Sequence, residues 1–236
     1  MSHDREAGVD LIVPAYFHPA VAPEQWKLLV RLAPMLRLVV INVHNGPGQD
    51  LDPSYPPVLL ALQEAGVRLA GYVDSAYGQR APIEIAHEVT TYRLRYGVQA
   101  VFLDQVTMGL DGLEHYAQCV LAARAAGARF VALNPGMHPH PGYLDLANLT
   151  VTFEGTWDQY QSLFPPPWIT NFPSSRFCHL VHSVSPDAFA EGLRLTAARH
   201  ARTVLLTDGG GDNPWDRVPA AMIDALMMRQ PAGDAR

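Results

Sequence analysis

Two carboxylates end short apolar runs in this chain. Asp104 closes Ala100-Val101-Phe102-Leu103, and Glu154 closes Leu149-Thr150-Val151-Thr152-Phe153. Carboxylates at strand ends two units apart can face one another across the mouth of a barrel. Glycoside hydrolysis needs such a pair, ~5–5.5 Å apart if retaining and ~6.5–9.5 Å apart if inverting. One member attacks or activates water, and the other must be protonated, which an apolar or anionic neighbourhood favours. Polar residues end most of the other apolar runs too: Asn42, Tyr72-Val73-Asp74, Asn134, His182 and Asp208. Tyr16, Tyr72, Tyr77, Trp157 and Trp215 are the aromatic candidates to stack on sugar faces.

Other chemistries find less support. Ten histidines invite a metal, with His138-Pro139-His140 and His179/His182 the tightest groups. A metal barrel needs its histidines gathered on strand ends. Here the first strand offers only His18, in a loop, and His179 and His182 stand three apart on one strand and face opposite sides. No metal site and no organic cofactor are expected. The single lysine, Lys27, falls in a helical stretch away from any strand end, which argues against Schiff-base chemistry. Gly209-Gly210-Gly211 follows the last strand, where some barrels hold phosphate, but no lysine or arginine lies between Thr207 and Asp216 to assist.

The elements that must position these groups alternate in type. Eight short, nearly continuous apolar runs read as strands buried on both faces. They are Val9–Val13, Leu38–Asn42, Val67–Val73, Ala100–Asp104, Arg129–Asn134, Leu149–Glu154, Phe177–His182 and Thr203–Asp208. Helical patterns fill the gaps: Pro23–Met35, Tyr55–Ala65, Pro82–Tyr96, Gly112–Ala126, a stretch from the cap Ser185 to His200, and Asp216–Arg229. Pro141–Ala147 is short and Trp157–Phe164 weakly helical. Gly66, Gly97 and Gly127 end three of the helices. Eight units in 236 residues predict a single (β/α)8 TIM barrel over 1–236, with tails at 1–8 and 230–236. The structural rival, a doubly wound open sheet, usually carries a glycine-rich turn after its first strand. Pro14 to Pro19 contains no glycine.

Composition narrows the partners. With 17 basic against 23 acidic residues and a net charge of −6, no nucleic-acid partner is expected. No apolar run reaches the ~18 residues of a membrane span. Met1 to Asp10 is polar and lacks a signal-like apolar core, so the sequence as it stands predicts a cytoplasmic location. Cys119 and Cys178 lie far apart in apolar runs and read as buried thiols.

The chain resembles the spherulin-4-like proteins (spherulation-specific family 4), (β/α)8 barrels related to endo-α-1,4-galactosaminidases. The resemblance lies in Ile12-Val13-Pro14-Ala15-Tyr16, Ile41-Asn42-Val43-His44-Asn45-Gly46-Pro47-Gly48, Gly71-Tyr72-Val73, and Ser75-Ala76-Tyr77-Gly78-Gln79-Arg80. It continues in Phe102-Leu103-Asp104, Leu133-Asn134-Pro135-Gly136, Phe153-Glu154, and Thr207-Asp208 with Asn213-Pro214-Trp215-Asp216. These segments run in family order over almost the whole chain. The resemblance implies hydrolysis of a galactosamine-containing polysaccharide, with Asp104 as nucleophile or stabiliser and Glu154 as general acid/base. It implies a cleft lined by Tyr16, Asn42, His44, Tyr72, Tyr77, Arg80, Gln105, Asn134, Trp157, Asp208 and Trp215. The family commonly has Asp-Glu where this chain has Asp104-Gln105. Gln105 keeps the shape but carries neither charge nor an exchangeable acid proton. A non-catalytic carbohydrate-binding barrel, or a hydrolase of a smaller intracellular glycoside, is therefore the alternative function.

Overall fold

The computed structural model describes residues 9–229. The tails expected at 1–8 and 230–236 lie outside the described residues. Eight parallel strands close into a barrel in sequence order: β1 (Asp10–Ala15), β2 (Leu36–Ile41), β3 (Leu69–Asp74), β4 (Ala100–Asp104), β5 (Phe130–Leu133), β6 (Leu149–Thr156), β7 (Phe177–His182) and β8 (Thr203–Leu206). The seam closes where Asp10 and Leu11 pair with Thr203 and Val204. Helices follow the strands: α1 (Pro23–Arg31), α2 (Tyr55–Glu64), α3 (Pro82–Tyr96), α4 (Leu113–Ala125), α5 (Tyr143–Leu146), α6 (Trp157–Gln161), α7 (Phe189–Ala198) and α8 (Ala220–Arg229). The expected barrel is thus the observed one, and no open sheet edge exists in it.

The strand side chains divide by parity, because successive residues point to opposite faces. Ile12, Leu38, Val40, Ala70, Phe102, Ala132, Leu180 and Leu205 fill the barrel interior. Val13, Val39, Val73, Val101, Leu103 and Val131 pack outwards against the helices. Both faces are apolar, which is why the strands read as continuous hydrophobic runs. On β3, a Cβ on Gly71 would lie 2.3 Å from the Tyr92 ring of α3, so only glycine admits that helix.

Several boundaries differ from the sequence reading. The first helix ends at Arg31, and Ala33–Met35 is a 3₁₀ turn, because Pro34 cannot continue an α-helix. The seventh opens as a 3₁₀ turn at Pro186–Ala188, and Ser185 makes no side-chain cap. The last helix starts at Ala220, after Pro219, rather than at Asp216. Strand β3 begins two residues later than expected, and β1 runs on to Ala15.

Two irregularities matter for position. The β1–β2 register shifts between Leu11 and Ile12, so that Arg37 becomes an extra residue at the start of β2. The β6–β7 register shifts between Val151 and Phe153, where Thr152 is extra. A bulge of this kind reverses the side-chain parity beyond it.

Candidate active site

Asp104 keeps the regular alternation. Ala100 and Phe102 line the interior, so the last residue of β4 faces the mouth. Asn134, just past β5, follows Phe130 and Ala132 by the same rule. Glu154 does not. Leu149 and Val151 face inward, and simple alternation would send Phe153 in and Glu154 out. The Thr152 bulge turns Phe153 outward, into a cluster with Tyr160 and Val181, and turns Glu154 into the mouth.

A single nitrogen then joins the two carboxylates. Asn134 Nδ2 donates to Asp104 Oδ1 at 2.7 Å and to Glu154 Oε2 at 2.5 Å. The two oxygens therefore lie at most about 5 Å apart, closer to the spacing of a retaining pair than to that of an inverting one. The amide is itself held: Asn134 Oδ1 accepts from Gly136 N–H at 3.0 Å, and the Gly136 carbonyl accepts from Glu154 N–H at 2.9 Å. Tyr72, on the neighbouring strand, donates its hydroxyl to Asp104 Oδ2 at 2.9 Å. Trp215, buried in the β8–α8 loop, donates its indole N–H to Glu154.

The two acids differ in ionisation. Burial raises both, but the Gln105 backbone N–H, Tyr72 and Asn134 all favour the charged form of Asp104. Glu154 is pushed up to about 7, chiefly by burial and further by the charge of Asp104, against the hydrogen bonds from Asn134 and Trp215. Three donors oppose the rise at Asp104, whereas the charge of Asp104 adds to the rise at Glu154, so Glu154 is the member that keeps a proton more readily. This is the division that general-acid and nucleophilic roles require.

Tyr16 stands at the mouth, edge-on to Tyr72 with ring centroids 5.7 Å apart, and burial with the nearby Asp104 raises its hydroxyl pKa. Tyr16, Asn42 and His44 line a cavity of about 370 Å³ that also takes in His18 and Asn213. Tyr77 is largely exposed on the β3–α3 loop, where its backbone N–H donates to the Gln105 carbonyl at 2.9 Å. Gln105 itself adopts the left-handed conformation, φ 53°. Among the described residues its side chain makes no hydrogen bond, while its carbonyl receives the Ser75 hydroxyl at 2.9 Å.

Other predicted residues are spent on the scaffold. Asn42 Oδ1 accepts from Gly46 N–H at 2.9 Å, which holds the β2–α2 loop. Arg80 donates to the Asp74 carbonyl at 2.7 Å and to Glu88 at 2.6 Å. Asp208 lies two residues beyond β8, exposed, and pairs with Arg217 at 3.1 Å. Trp157 corrects the sequence reading: it opens α6 and is buried against Tyr160, Leu193 and Leu206 outside the barrel wall. A ring packed there cannot stack on a ligand at the mouth.

The sequence reading left out Asp74 as a site residue. It stands in register beside Asp104, and its charge adds to the rise of the Asp104 carboxyl. Its only signal was a polar residue closing a strand. Glu88, which anchors Arg80 from α3, carried no signal at all. The candidate metal histidines do not converge: His179 Nδ1 pairs with the Tyr160 hydroxyl at 2.8 Å behind the wall, whereas His182 lies against Trp215. Among the described residues no three His, Cys, Asp or Glu side chains are grouped to hold a metal.

Comparison with known proteins agrees with this architecture. A solved structure of Sph3 from Aspergillus clavatus in complex with GalNAc superposes with a TM-score of 0.78 at 23% identity, over 94% of this chain and 98% of that one. The chitinase from Chromobacterium violaceum superposes with a TM-score of 0.58 at 11% identity, over 93% and 99%. The Bacillus cereus spore cortex-lytic enzyme SleL gives 0.60 at 8% identity, over 93% and 74%. These likenesses are of fold. In sequence, spherulin-4 of Physarum polycephalum is 28% identical over 215 residues, covering 85% of this chain and 64% of that protein's length. The family model of spherulation-specific family 4 matches residues 10–228, so the chain belongs to that family.

Proposed function

We propose that this chain is a retaining glycoside hydrolase acting on galactosamine- or N-acetylgalactosamine-containing oligo- or polysaccharide. The observation that carries the reading is the Asp104–Asn134–Glu154 bridge, which holds an oxygen of each carboxyl no more than about 5 Å from the other. Glu154 gives its proton to the glycosidic oxygen as that bond breaks, and Asp104 attacks the anomeric carbon to form a glycosyl ester. Glu154, now ionised, takes a proton from water, whose oxygen displaces Asp104. Asn134 keeps both acids at this separation, and Tyr72 holds the attacking oxygen pair of Asp104 in orientation. Tyr16 and Tyr77 offer aromatic faces to the sugar. The GalNAc complex of Sph3 supports the choice of sugar.

Gln105 favours one second reading, a barrel that binds carbohydrate without cleaving it. Incubation with α-1,4-linked galactosamine oligomers, free or partly N-acetylated, separates the two. New reducing ends that vanish in Asp104→Asn and Glu154→Gln support the hydrolase. Binding without cleavage, unchanged in both variants, overturns it.

A further inference from the structure

The opposite pole of the barrel carries an unusual charge pattern. Arg37, Arg68, Arg129, Arg176 and Arg202 stand within or immediately before the first residues of β2, β3, β5, β7 and β8. One acid, Asp10 at the start of β1, faces them. Its Oδ2 lies 3.1 Å from Arg202 Nε and 3.6 Å from Arg37 Nη1, so one carboxylate serves two guanidiniums. Arg176 is used up on the carbonyls of Leu144 and Ala147. Among the described residues, Arg68 and Arg129 have no such partner. Arg68 lies over the Phe130 ring, 4.5 Å from its centroid. Among the described residues, neither guanidinium makes a hydrogen bond or an ion pair.

These two arginines line an open cavity of about 440 Å³, larger than the one at the mouth. Among the described residues, none that lines it is acidic. Gln63 and Gln99 add amide groups, and Gln63 Nε2 is directed to the Gly97 carbonyl at 3.3 Å, leaving its oxygen free. The volume falls within the ~300–1,000 Å³ of small-molecule sites. The excess of positive charge is felt by the buried neighbour. Burial holds the Arg37 guanidinium below its ordinary range, Asp10 opposes this, and Arg68 and Arg202 push it further down. An anion between Arg68 and Arg129 would offset that repulsion. The planar fork of each guanidinium suits two oxygens of one tetrahedral anion.

We propose that this cavity at the N-terminal pole is a binding site for a phosphate group, free or carried on a small hydroxylated molecule. Arg68 and Arg129 grip the phosphate oxygens, and Gln63 and Gln99 meet neighbouring hydroxyls. The site is remote from the carboxylate pair and does not depend on what that pair does.

Calorimetric titration of the whole chain with inorganic phosphate, glucose 6-phosphate and glucose, at ionic strength matched with chloride, tests it. Binding of either phosphate and not of glucose is expected. Tighter binding of glucose 6-phosphate identifies a phosphate ester as the ligand, and equal binding identifies free phosphate. Arg68→Gln and Arg129→Gln should each weaken binding about tenfold or more, the scale of one charge-assisted bidentate contact. Arg194→Gln, which breaks an exposed pair with Glu191 on α7, should leave it unchanged. Arg129 is exposed and, among the described residues, its side chain holds no other element in place, so its variant keeps the fold. No phosphate binding above the chloride control overturns the proposal. So does binding that survives both variants, because the arginines would then serve only the helix C-termini that end at this pole.

Discussion

Replacing Glu154 by Gln should stabilise the protein while silencing it, and the gain should depend on pH. A glutamate carboxyl has an ordinary value of 4.5, and burial beside Asp104 lifts that of Glu154 to about 7. In the unfolded chain the group ionises above 4.5. In the folded chain it stays protonated until about 7. Between those values the native state binds the extra proton, so stability falls as pH rises through the window and then levels off. Moving the carboxyl that far costs up to about 3 kcal/mol once it is charged. Glutamine fills the same space and can still accept from Asn134 and Trp215 without ever bearing charge. Denaturant unfolding of both proteins at pH 4, 6 and 8 measures the difference. The curves should coincide near pH 4, and the variant should lead by up to about 3 kcal/mol at pH 8, or roughly 2–4 °C in Tm for each kcal/mol. Hydrolysis should drop by about 10²–10⁴-fold with the loss of the general acid. A stability difference that is the same at all three pH values would refute the reasoning, because Glu154 would then ionise like an exposed carboxylate.

Three further outcomes follow from named contacts. Tyr72→Phe removes a hydrogen bond that favours ionised Asp104, so the acidic limb of the pH–rate profile should move up by about one pH unit, in line with ~1.5 kcal/mol for a bond to a charged group. An unmoved limb would show that Asp104 is not the group titrating there. Trp157→Ala should cost about 3–5 kcal/mol of stability as a core truncation, while KM at permissive temperature stays unchanged. A raised KM with unaltered unfolding would restore Trp157 to the cleft. Deleting Thr152 removes only the extra residue: Phe153 then follows inward-facing Val151 on the outer face, and Glu154 still faces Asp104. Cleavage should survive the deletion, and its loss with far-ultraviolet circular dichroism unchanged would show that the bulge does more than set the faces of β6.

The fold was open to reading because the barrel buries every strand twice. Runs such as Leu38–Ile41 and Val101–Leu103 are apolar on both faces, and nothing but a parallel sheet covered by helices asks for that. Helix ends were legible where glycine adopts positive φ, as at Gly66 and Gly97, at 80° and 67°. They were less so where proline bends the chain into a 3₁₀ turn, at Pro34 and Pro186. Period-two reasoning also explains which site residues were misjudged. Trp157 follows β6 at the mouth in sequence, but α6 starts there at once and carries the ring behind the wall. Asp208 lies past the end of β8 and leaves the mouth to pair with Arg217.

What pattern alone could not reach is the joining of separate strands. Asp104 and Glu154 read as strand-ending carboxylates, yet Glu154 faces Asp104 only because one extra residue reverses the parity of β6. Asn134 reads as a cleft residue, yet its amide joins the two acids directly. These facts are coupled. A buried pair of carboxylates repel one another, and an unbridged pair would drift apart or share one proton without preference. One amide that donates to both fixes their separation, and the extra donors on Asp104 decide which of them keeps the proton. The bulge supplies the direction, the asparagine the distance, and Tyr72 with the Gln105 backbone the asymmetry. Gln105 fits that division: an acid there would add a third negative charge beside Asp104 and Asp74, whereas the amide leaves Asp104 free to ionise.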